Sequence, residues 1–294
     1  MSQRLILALT AILQEKKSLN LYVRDISQAY VQSSTHLNRD FFVKPPTELQ
    51  MDEGSILRIV KPLYGIPEAG NHCVCQPESA FDLASAAQVT NPKEEDVKTL
   101  NKRLQWQINN KLKGLRFIHL NIHTLRLVVF TDASFANNRD LSSQIGFVIT
   151  LADDSNKANI IHWSSLKCKR VTRSILASEL YAVAHGFDTA IVLKSTIEKI
   201  LQKNNLPLIL CADSKSLYDC LVKLGTTQEK RLMVDLMCIR QSYERRQITE
   251  IRWIDGNSNP ADAMTKGQPC SALTRLIDTN MINITPFGWV ERYT

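Results

Sequence analysis

The chain has 294 residues, of which 44% are hydrophobic and 22% charged, and its 36 Lys and Arg against 29 Asp and Glu give a net charge of +7. A chain this apolar can bury a core, which excludes disorder over most of its length, and ten Gly and ten Pro exclude collagen-like and low-complexity architectures. The length predicts about two domains, and the basic excess fits a polyanionic partner without requiring one.

An apolar run occupies residues 5–13 (LILALTAIL), directly after Arg4. It resembles the core of a signal peptide, but Gln-Glu-Lys-Lys follows it where a cleavage site would need small residues. The run is also far shorter than the roughly 20 residues of a membrane span. We therefore predict a buried helix here and no membrane-spanning segment further along the chain.

The seven cysteines form an odd set without repeated spacing, and the one tight pair, Cys73 and Cys75, is too close for a zinc knuckle. We expect the thiols to be reduced and mostly buried. Reduced thiols are typical of intracellular proteins, so the sequence predicts a location in the cytoplasm or nucleus and no secretion.

The front of the chain, up to residue 124, gives weaker signals. Alternating stretches at residues 21–26 and 41–43 predict short strands, and prolines at positions 45, 46, 62 and 67 interrupt them. Residues 71–90 show no clear period, and we expect them to pack poorly. Thr90-Asn91-Pro92, with acids at 94–96, predicts the start of a helix that runs to about Asn109.

Residues 125–270 alternate regularly between strands and helices. Apolar runs predict strands at 125–131, 145–151, 160–164, 208–212 and 250–254, and helical periodicity predicts helices at 174–201, 214–223 and 231–243 and a last one from Asn259. This order indicates an α/β domain with a mixed five-stranded sheet. The predicted organisation is a front segment (1–75), a connecting segment (76–124), this domain (125–270) and a C-terminal tail (271–294).

Four carboxylates lie on these elements at positions where they could form a site. Asp132 and Asp213 end the first and fourth strands, Glu179 lies in the long helix, and Asp262 opens the last helix. If the first and fourth strands are neighbours, the acids converge at one sheet edge, where they cannot all be ionised without cations between them. The sequence therefore predicts a site for two Mg²⁺ ions. Taken singly, each acid could instead be a helix cap or a turn former.

A basic stretch precedes the long helix. Lys167, Lys169, Arg170 and Arg173 lie within seven residues that include no acid. The stretch could be a solvated turn. Its position just ahead of the helix that carries Glu179 favours contact with the phosphates of a nucleic acid.

The motifs around the acids resemble those of a known family. TDAS at 131–134, ASEL at 177–180, ADS at 212–214 and NPADAMTK at 259–266 are similar to the ribonuclease H domain of copia-type LTR retrotransposons, in its shorter fungal form, over residues 125–268. The resemblance implies a ribonuclease H-like fold and Mg²⁺-dependent hydrolysis of the RNA strand of RNA–DNA hybrids, with the four acids as metal ligands. The sequence has no His after His185, so the mobile His that many ribonucleases H place before the last Asp is missing.

Residues 3–75 resemble the start of the reverse transcriptase palm from the same polyproteins. RDISQAY at 24–30 matches the motif that supplies the first polymerase Asp, Asp25, and an aromatic gate against the ribose hydroxyl, Tyr30. After PLYGIPEAG at 62–70 the resemblance implies a hairpin with Tyr-x-Asp-Asp, and the sequence lacks it. We therefore expect that polymerase activity has been lost by an internal deletion, and that residues 76–124 are a remnant of the connection.

The sequence thus favours a retrotransposon-derived ribonuclease H with a vestigial polymerase segment. The expected partner is an RNA–DNA hybrid or another nucleic acid, the expected cofactor is Mg²⁺, and neither a membrane nor a small-molecule cofactor is expected. Two alternatives stay open at this point: a non-catalytic nucleic-acid-binding relic, and a pseudogene product without a selected function.

Overall fold

The computed structural model describes residues 3–17, 41–43, 57–59, 76–89, 91–110, 113–222, 230–284 and 286–291. These belong to two compact units, one of residues 22–75 and one of residues 1–21 with 76–294. The smaller unit is described at two short strands, β1 (Phe41–Val43) and β2 (Leu57–Ile59), which pair antiparallel. Asp25, Tyr30 and the segment 62–70, which carry the predicted palm motifs, lie outside the described residues.

The larger unit holds the remaining described elements. Its helices are α1 (Gln3–Lys17), α2 (Ala80–Ala87), α3 (Glu94–Asn109), α4 (Ile175–Leu201), α5 (Lys215–Val222), α6 (Lys230–Glu244) and α7 (Ser271–Thr279). Its strands are β3 (Arg126–Ser134), β4 (Gln144–Ala152), β5 (Ala158–Lys167), β6 (Leu208–Ala212), β7 (Glu250–Ile254) and β8 (Pro286–Glu291). Short 3₁₀ turns lie at Pro77–Ser79, Ile122–Thr124, Gly256–Ser258 and Pro260–Met264.

The six strands form one mixed sheet in the order β5–β4–β3–β6–β7–β8. β3 pairs antiparallel with β4 and parallel with β6, so the first and fourth strands of the domain are neighbours. The predicted α/β domain with a mixed sheet is thereby confirmed, but the sheet has six strands and not five. The sixth, β8, comes from the predicted tail and pairs antiparallel with β7. Its Pro286 and Gly288 are typical of turns and edge strands, which hid it from the sequence pattern.

Both faces of the sheet are covered by helices. On one face α4 lies across β3 and β4, with Leu180 and Val129 in the same buried cluster. On the other face α7 contributes Leu273 to a second cluster that includes Phe130. The central strands are therefore buried from both sides, and the ends of these strands are held at fixed positions.

The helix α4 is long and apolar enough, by length and composition, to cross a membrane, which differs from the expectation that no later segment would be. In this structure 56% of its most apolar window is buried inside the domain. Its apolar side chains form the core with the sheet, which accounts for the composition of a central helix in a globular domain.

The five described cysteines are free thiols, but they are less buried than predicted. Cys168 and Cys211 are buried, Cys220 and Cys270 are half-buried, and Cys238 is exposed. Cys238 lies on the outer face of α6 beside the exposed Met237, where nothing in the described part of the chain covers it.

The helix α1 belongs to the larger unit and not to the predicted front segment. The prediction that it is buried is confirmed, since Leu5, Ala8 and Ile12 have no exposed surface. It packs against β5, where the Arg4 guanidinium lies 3.5 Å from the centre of the Trp163 ring. Because burying a Leu or Ile side chain is worth about 2 kcal/mol, this helix needs the sheet to cover its apolar face.

The prediction of poor packing is wrong for residues 76–89, the described part of the segment 71–90. Ser79 is fully buried, and α2 contacts both β5 and the turn Pro260–Met264. The helical period was hard to recognise because α2 is rich in Ala, whose weak hydrophobicity gives little contrast between the two faces of a helix.

Gly146 in β4 allows the turn Pro260–Met264 to approach the sheet. A Cβ at this position would lie 2.3 Å from the Cβ of Met264, too close for either backbone to stay in place.

We expect Gly146→Ala to lower the free energy of unfolding by about 1–3 kcal/mol in urea denaturation. Gly114→Ala is the control, since nothing lies within 4 Å of a Cβ there. Equal stability of the two variants would contradict this close packing.

Candidate active site

The first predicted acid, Asp132, lies near the end of β3. It is still inside the strand, opposite Gly146 of β4, and not just after the strand as the sequence indicated. The neighbouring β6 pairs with β3 only as far as Thr131, so the edge beside Asp132 is left for side chains from other elements. Asp132 is buried, with 3% of its surface exposed, and it accepts a hydrogen bond from the hydroxyl of Thr265.

The second acid, Glu179, is brought to this edge by α4. Ser174 caps the helix, its hydroxyl oxygen accepting a hydrogen bond from the Ala177 amide at 3.2 Å, one turn before Glu179. Gly186 lies seven residues after Glu179 on the same helix face. It allows α4 to lie close to β3, since a Cβ there would be 3.0 Å from the methyl of Thr131. Glu179 is consequently buried, with 5% of its surface exposed.

The third acid, Asp213, directly follows β6. Trp253 of β7 donates its indole N–H to the carbonyl oxygen of Asp213 at 3.2 Å, which fixes the backbone at this point. Carboxylate oxygens of Asp132, Glu179 and Asp213 lie within 4.8 Å of one another. The structure thus brings three of the four predicted acids together at one edge of the sheet.

Burial raises the pKa of all three carboxyls, and the charges of neighbouring acids add to the effect. Desolvation, and next the charge of Asp213, raise the pKa of Asp132 to about 6. Burial raises the pKa of Glu179 well above its ordinary value, and the charges of Asp132 and Asp213 raise it further. The pKa of Asp213 is also raised, chiefly by desolvation. A cation bound between acids whose charged forms are this unfavourable would stabilise the ionised site.

The chemistry of this group fits a divalent metal ion. Oxygen atoms of carboxylates are the ligands that Mg²⁺ prefers in proteins. The Oε2 atom of Glu179 is buried and has no hydrogen-bond partner, a condition that is costly unless a ligand satisfies the oxygen. The three acids therefore have the donor type, the proximity and the unsatisfied capacity that a metal site needs.

The fourth predicted acid, Asp262, is not part of this group. It lies in the turn Pro260–Met264, which takes the place of the predicted last helix, and it forms an ion pair with Lys266 four residues later. Besides burial, the charge of Asp262 contributes to the raised pKa of Asp132 and Asp213, so it lies close to the group. Although burial acts to lower it, the pKa of Lys266 is raised by the hydrogen bond to Asp262 and by the neighbouring acids.

Two further residues hold this turn in position, and sequence analysis did not assign them a role. Asn259 caps the turn by accepting a hydrogen bond from the Ala261 amide at 3.1 Å, and it donates its side-chain amide to the carbonyl of Thr131 at 2.9 Å. Thr265 is fully buried and donates to the Asp132 carboxylate. Both stand in the NPADAMTK motif, so their spacing from Asp262 was the signal that could have revealed them.

The four cations of the predicted basic stretch lie in different surroundings. Lys167 forms an ion pair with Asp140, and Arg170 forms one with Asp235 at 2.9 Å. Lys169 and Arg173 are exposed. The stretch contains no acid in the sequence, but the fold brings two acids to it from other elements.

A basic cleft of about 650 Å³ is lined by Arg170, Arg173, Lys230 and Arg231, with Tyr181 and apolar side chains beside them. Lys230 and Arg231 begin α6, and sequence analysis missed them. The available signal was a pair of cations in the first turn of a predicted helix, where the helix dipole disfavours positive charge.

No family model matches the sequence. Similar solved structures include LC11 ribonuclease H1, isolated from compost by a metagenomic approach, at 17% identity over 52% of this chain and 96% of that chain, with a TM-score of 0.36. The N-terminal ribonuclease H domain of a Mycobacterium tuberculosis protein matches at 14% identity over 48% and 91%, with a TM-score of 0.36. The ribonuclease H domain of prototype foamy virus matches at 16% identity over 54% and 93%, with a TM-score of 0.33.

The raised pKa of Asp132 leads to a prediction for the metal-free protein. Above pH 6 the buried carboxylate is ionised and destabilises the fold, whereas below the unfolded-state value of 3.8 it is neutral in both states and the penalty is gone. We expect Asp132→Asn to be more stable than the wild type by roughly 1–3 kcal/mol near pH 7.5. The difference should shrink as the pH falls through 6 and vanish near pH 4.

The measurement is chemical denaturation in EDTA across this pH range. Asp188→Asn is the matched control, because Asp188 is an exposed acid on α4, the helix that carries Glu179. A stability difference between Asp132→Asn and wild type that does not change with pH would contradict the account of the buried acids.

Proposed function

We propose that this protein is a ribonuclease H that hydrolyses the RNA strand of RNA–DNA hybrids with Mg²⁺ as its cofactor. The observation that carries the proposal is the group of Asp132, Glu179 and Asp213, whose carboxylate oxygens lie within 4.8 Å of one another. Among the residues that the structure describes, this is the one group of three or more acidic, His or Cys side chains close enough to hold a metal ion. It stands at the edge of a ribonuclease H-like sheet, on the elements that carry the TDAS, ASEL and ADS motifs.

Asp132, Glu179 and Asp213 would hold the metal, and Asp262 would complete a second position when Lys266 releases it. Divalent ions bound there supply an activated water and charge stabilisation for a departing oxygen. In the reaction, water adds to the phosphorus and the bond from phosphorus to the 3′ oxygen breaks. A proton passes to that oxygen, so the products are a 3′-hydroxyl and a 5′-phosphate.

Residues around the acids orient them before substrate binds. Thr265 holds one oxygen of the Asp132 carboxylate, and the backbone amide of Ala133 hydrogen-bonds the Glu179 carboxylate and favours its ionised form. Lys266 places a positive charge that acts on all three acids. Because the sequence has no His after His185, we expect a slower reaction than in ribonucleases H that have a mobile His.

The basic cleft supplies positive charge for the substrate duplex. The loop from Lys167 to Ser174 joins the end of β5 to the start of α4, and Arg170 and Arg173 of this loop come nine and six residues before Glu179 in the chain. Phosphates of a duplex seated on the acids would meet these cations. Lys169 and the ion-paired Lys167 would contribute less directly, through the overall positive field of the loop.

We also infer that the chain derives from a copia-type retrotransposon polyprotein of the shorter fungal form. The order and spacing of the motifs support this origin, and the missing Tyr-x-Asp-Asp hairpin supports the loss of polymerase activity. Such a protein would act inside the cell, where RNA–DNA hybrids form. The second candidate is a non-catalytic nucleic-acid-binding relic, which the pairing of Asp262 with Lys266 favours.

Substitution of the acids separates these two candidates. We expect Glu179→Gln and Asp213→Asn each to reduce hybrid cleavage with Mg²⁺ by about 10²-fold or more, since each removes a charged oxygen ligand from the metal site. Asp188→Asn, on the same helix as Glu179, should cleave like the wild type. A labelled hybrid with gel-resolved products is the assay. Equal cleavage by Asp213→Asn and wild type would rule out the mechanism, and a wild type that binds hybrids without cleaving them would support the relic.

Arg231 of the basic cleft is expected to contribute to hybrid affinity. Removal of one phosphate contact should lower the slope of log affinity against log salt by about 0.9, so Arg231→Ala should bind a hybrid several-fold more weakly near 0.1 M salt. Arg245→Ala is the control, because Arg245 is exposed just beyond the opposite end of α6. Fluorescence anisotropy over a salt series gives both slopes, and identical slopes would exclude the cleft as a binding surface.

A further inference from the structure

A second cleft lies between α3 and the chain that follows Asp262. It has a volume of about 400 Å³, and we call it the α3 cleft. Lys102, Arg103 and Trp106 of α3 line one side, Lys266 and the residues after it line the other, and Lys113 contributes from the segment after α3. The α3 side belongs to the segment 76–124, for which the sequence predicted no function.

The α3 side of this cleft is fixed to the domain by polar contacts. Arg103 forms an ion pair with Asp82 of α2, in which both side chains are about four-fifths buried. The same guanidinium lies 5.1 Å from the centre of the Trp106 ring, which sets the orientation of the ring. Since α2 also contacts the turn Pro260–Met264, α3 is held at a defined distance from the turn that carries Asp262.

The charge of the α3 cleft suits a chain of phosphates. Four cations and two carboxylates line it, and one of the carboxylates, Asp82, is paired with Arg103. Lys102 and Lys113 are exposed, so their ammonium groups can meet a ligand. Trp106 is half-buried and offers an apolar surface beside these charges, as nucleic-acid-binding surfaces commonly do.

Lys266 connects the α3 cleft to the acids. This lysine lines the cleft, forms an ion pair with Asp262, and exerts its charge on Asp132 and Asp213. A polynucleotide strand whose phosphate lies at the acids would therefore meet the cleft at Lys266. A small anion would need only one of the cations that line the cleft, whereas a polynucleotide strand would contact several of them.

We propose that the α3 cleft binds the sugar–phosphate backbone of the substrate strand where it continues past the acids. The helix α3 and Lys113 are then part of the substrate-binding surface. The inference rests on the proposed function, because the strand reaches the cleft from the cleavage site. Lys102 and Lys113 contact successive phosphates, and Trp106 packs against a sugar or a base.

The test uses the full chain with Glu179→Gln in the background, so that hybrid binding is measured without cleavage. Lys102→Ala should lower the slope of log affinity against log salt by about 0.9, and Lys102→Ala with Lys113→Ala by about twice that amount. Lys98→Ala is the matched control, since Lys98 lies one turn earlier on α3, is exposed, and does not line the cleft. When the hybrid is shortened stepwise, the effect of Lys102→Ala should disappear on trimming from one end and persist on trimming from the other.

The outcomes separate this inference from the proposed function. Equal slopes for Lys102→Ala and Lys98→Ala in a protein whose parent chain cleaves hybrids would overturn the α3 cleft and leave the ribonuclease activity standing. A parent chain that binds hybrids with the expected loss in Lys102→Ala, but cleaves none, would support the cleft and overturn the ribonuclease. If trimming the hybrid from either end abolished the effect of Lys102→Ala equally, this would contradict the proposal that one strand runs from the acids into the α3 cleft.

Discussion

The carboxylates of Asp132, Glu179 and Asp213 are held close together, and Asp132 and Glu179 are buried while Asp213 is half-buried. Desolvation raises the pKa of all three, and the charges of the other acids raise the pKa of Asp132 and Glu179 further, so the metal-free domain carries an unfavourable charge cluster at the end of its central strand. Natural folds keep such clusters where a ligand offsets them. The buried Glu179 oxygen has no hydrogen-bond partner and would be satisfied by such a ligand.

The two faces of the sheet supply different parts of this site. From one face, α4 brings Glu179 down to β3, and Gly186 lets the helix approach closely enough. From the other, the turn Pro260–Met264 packs on Gly146 and places the Thr265 hydroxyl on Asp132. Each contact is tight because a methyl group at either glycine would be too close to its neighbour, so the packing of the core determines the spacing of the acids.

Much of this arrangement could be predicted from the sequence. Apolar runs and helical periodicity located Asp132, Asp213 and Glu179 on the elements that carry them, because burial imposes those patterns whatever the neighbouring elements are. The pairing of Asp262 with Lys266 could not be predicted in this way, since it depends on a 3₁₀ turn without a hydrophobic period. The position of Lys230 beside the loop before α4 could not be predicted either, because it arises only when helices that are distant in the sequence pack together.

Metal binding by the three acids can be tested directly by anomalous X-ray scattering from crystals grown with Mn²⁺, which takes the same oxygen ligands as Mg²⁺. We expect a Mn²⁺ peak among the carboxylates of Asp132, Glu179 and Asp213, and no peak in isomorphous crystals of Glu179→Gln. Wild-type crystals without a peak at this group, at Mn²⁺ concentrations that support hybrid cleavage in solution, would contradict this expectation.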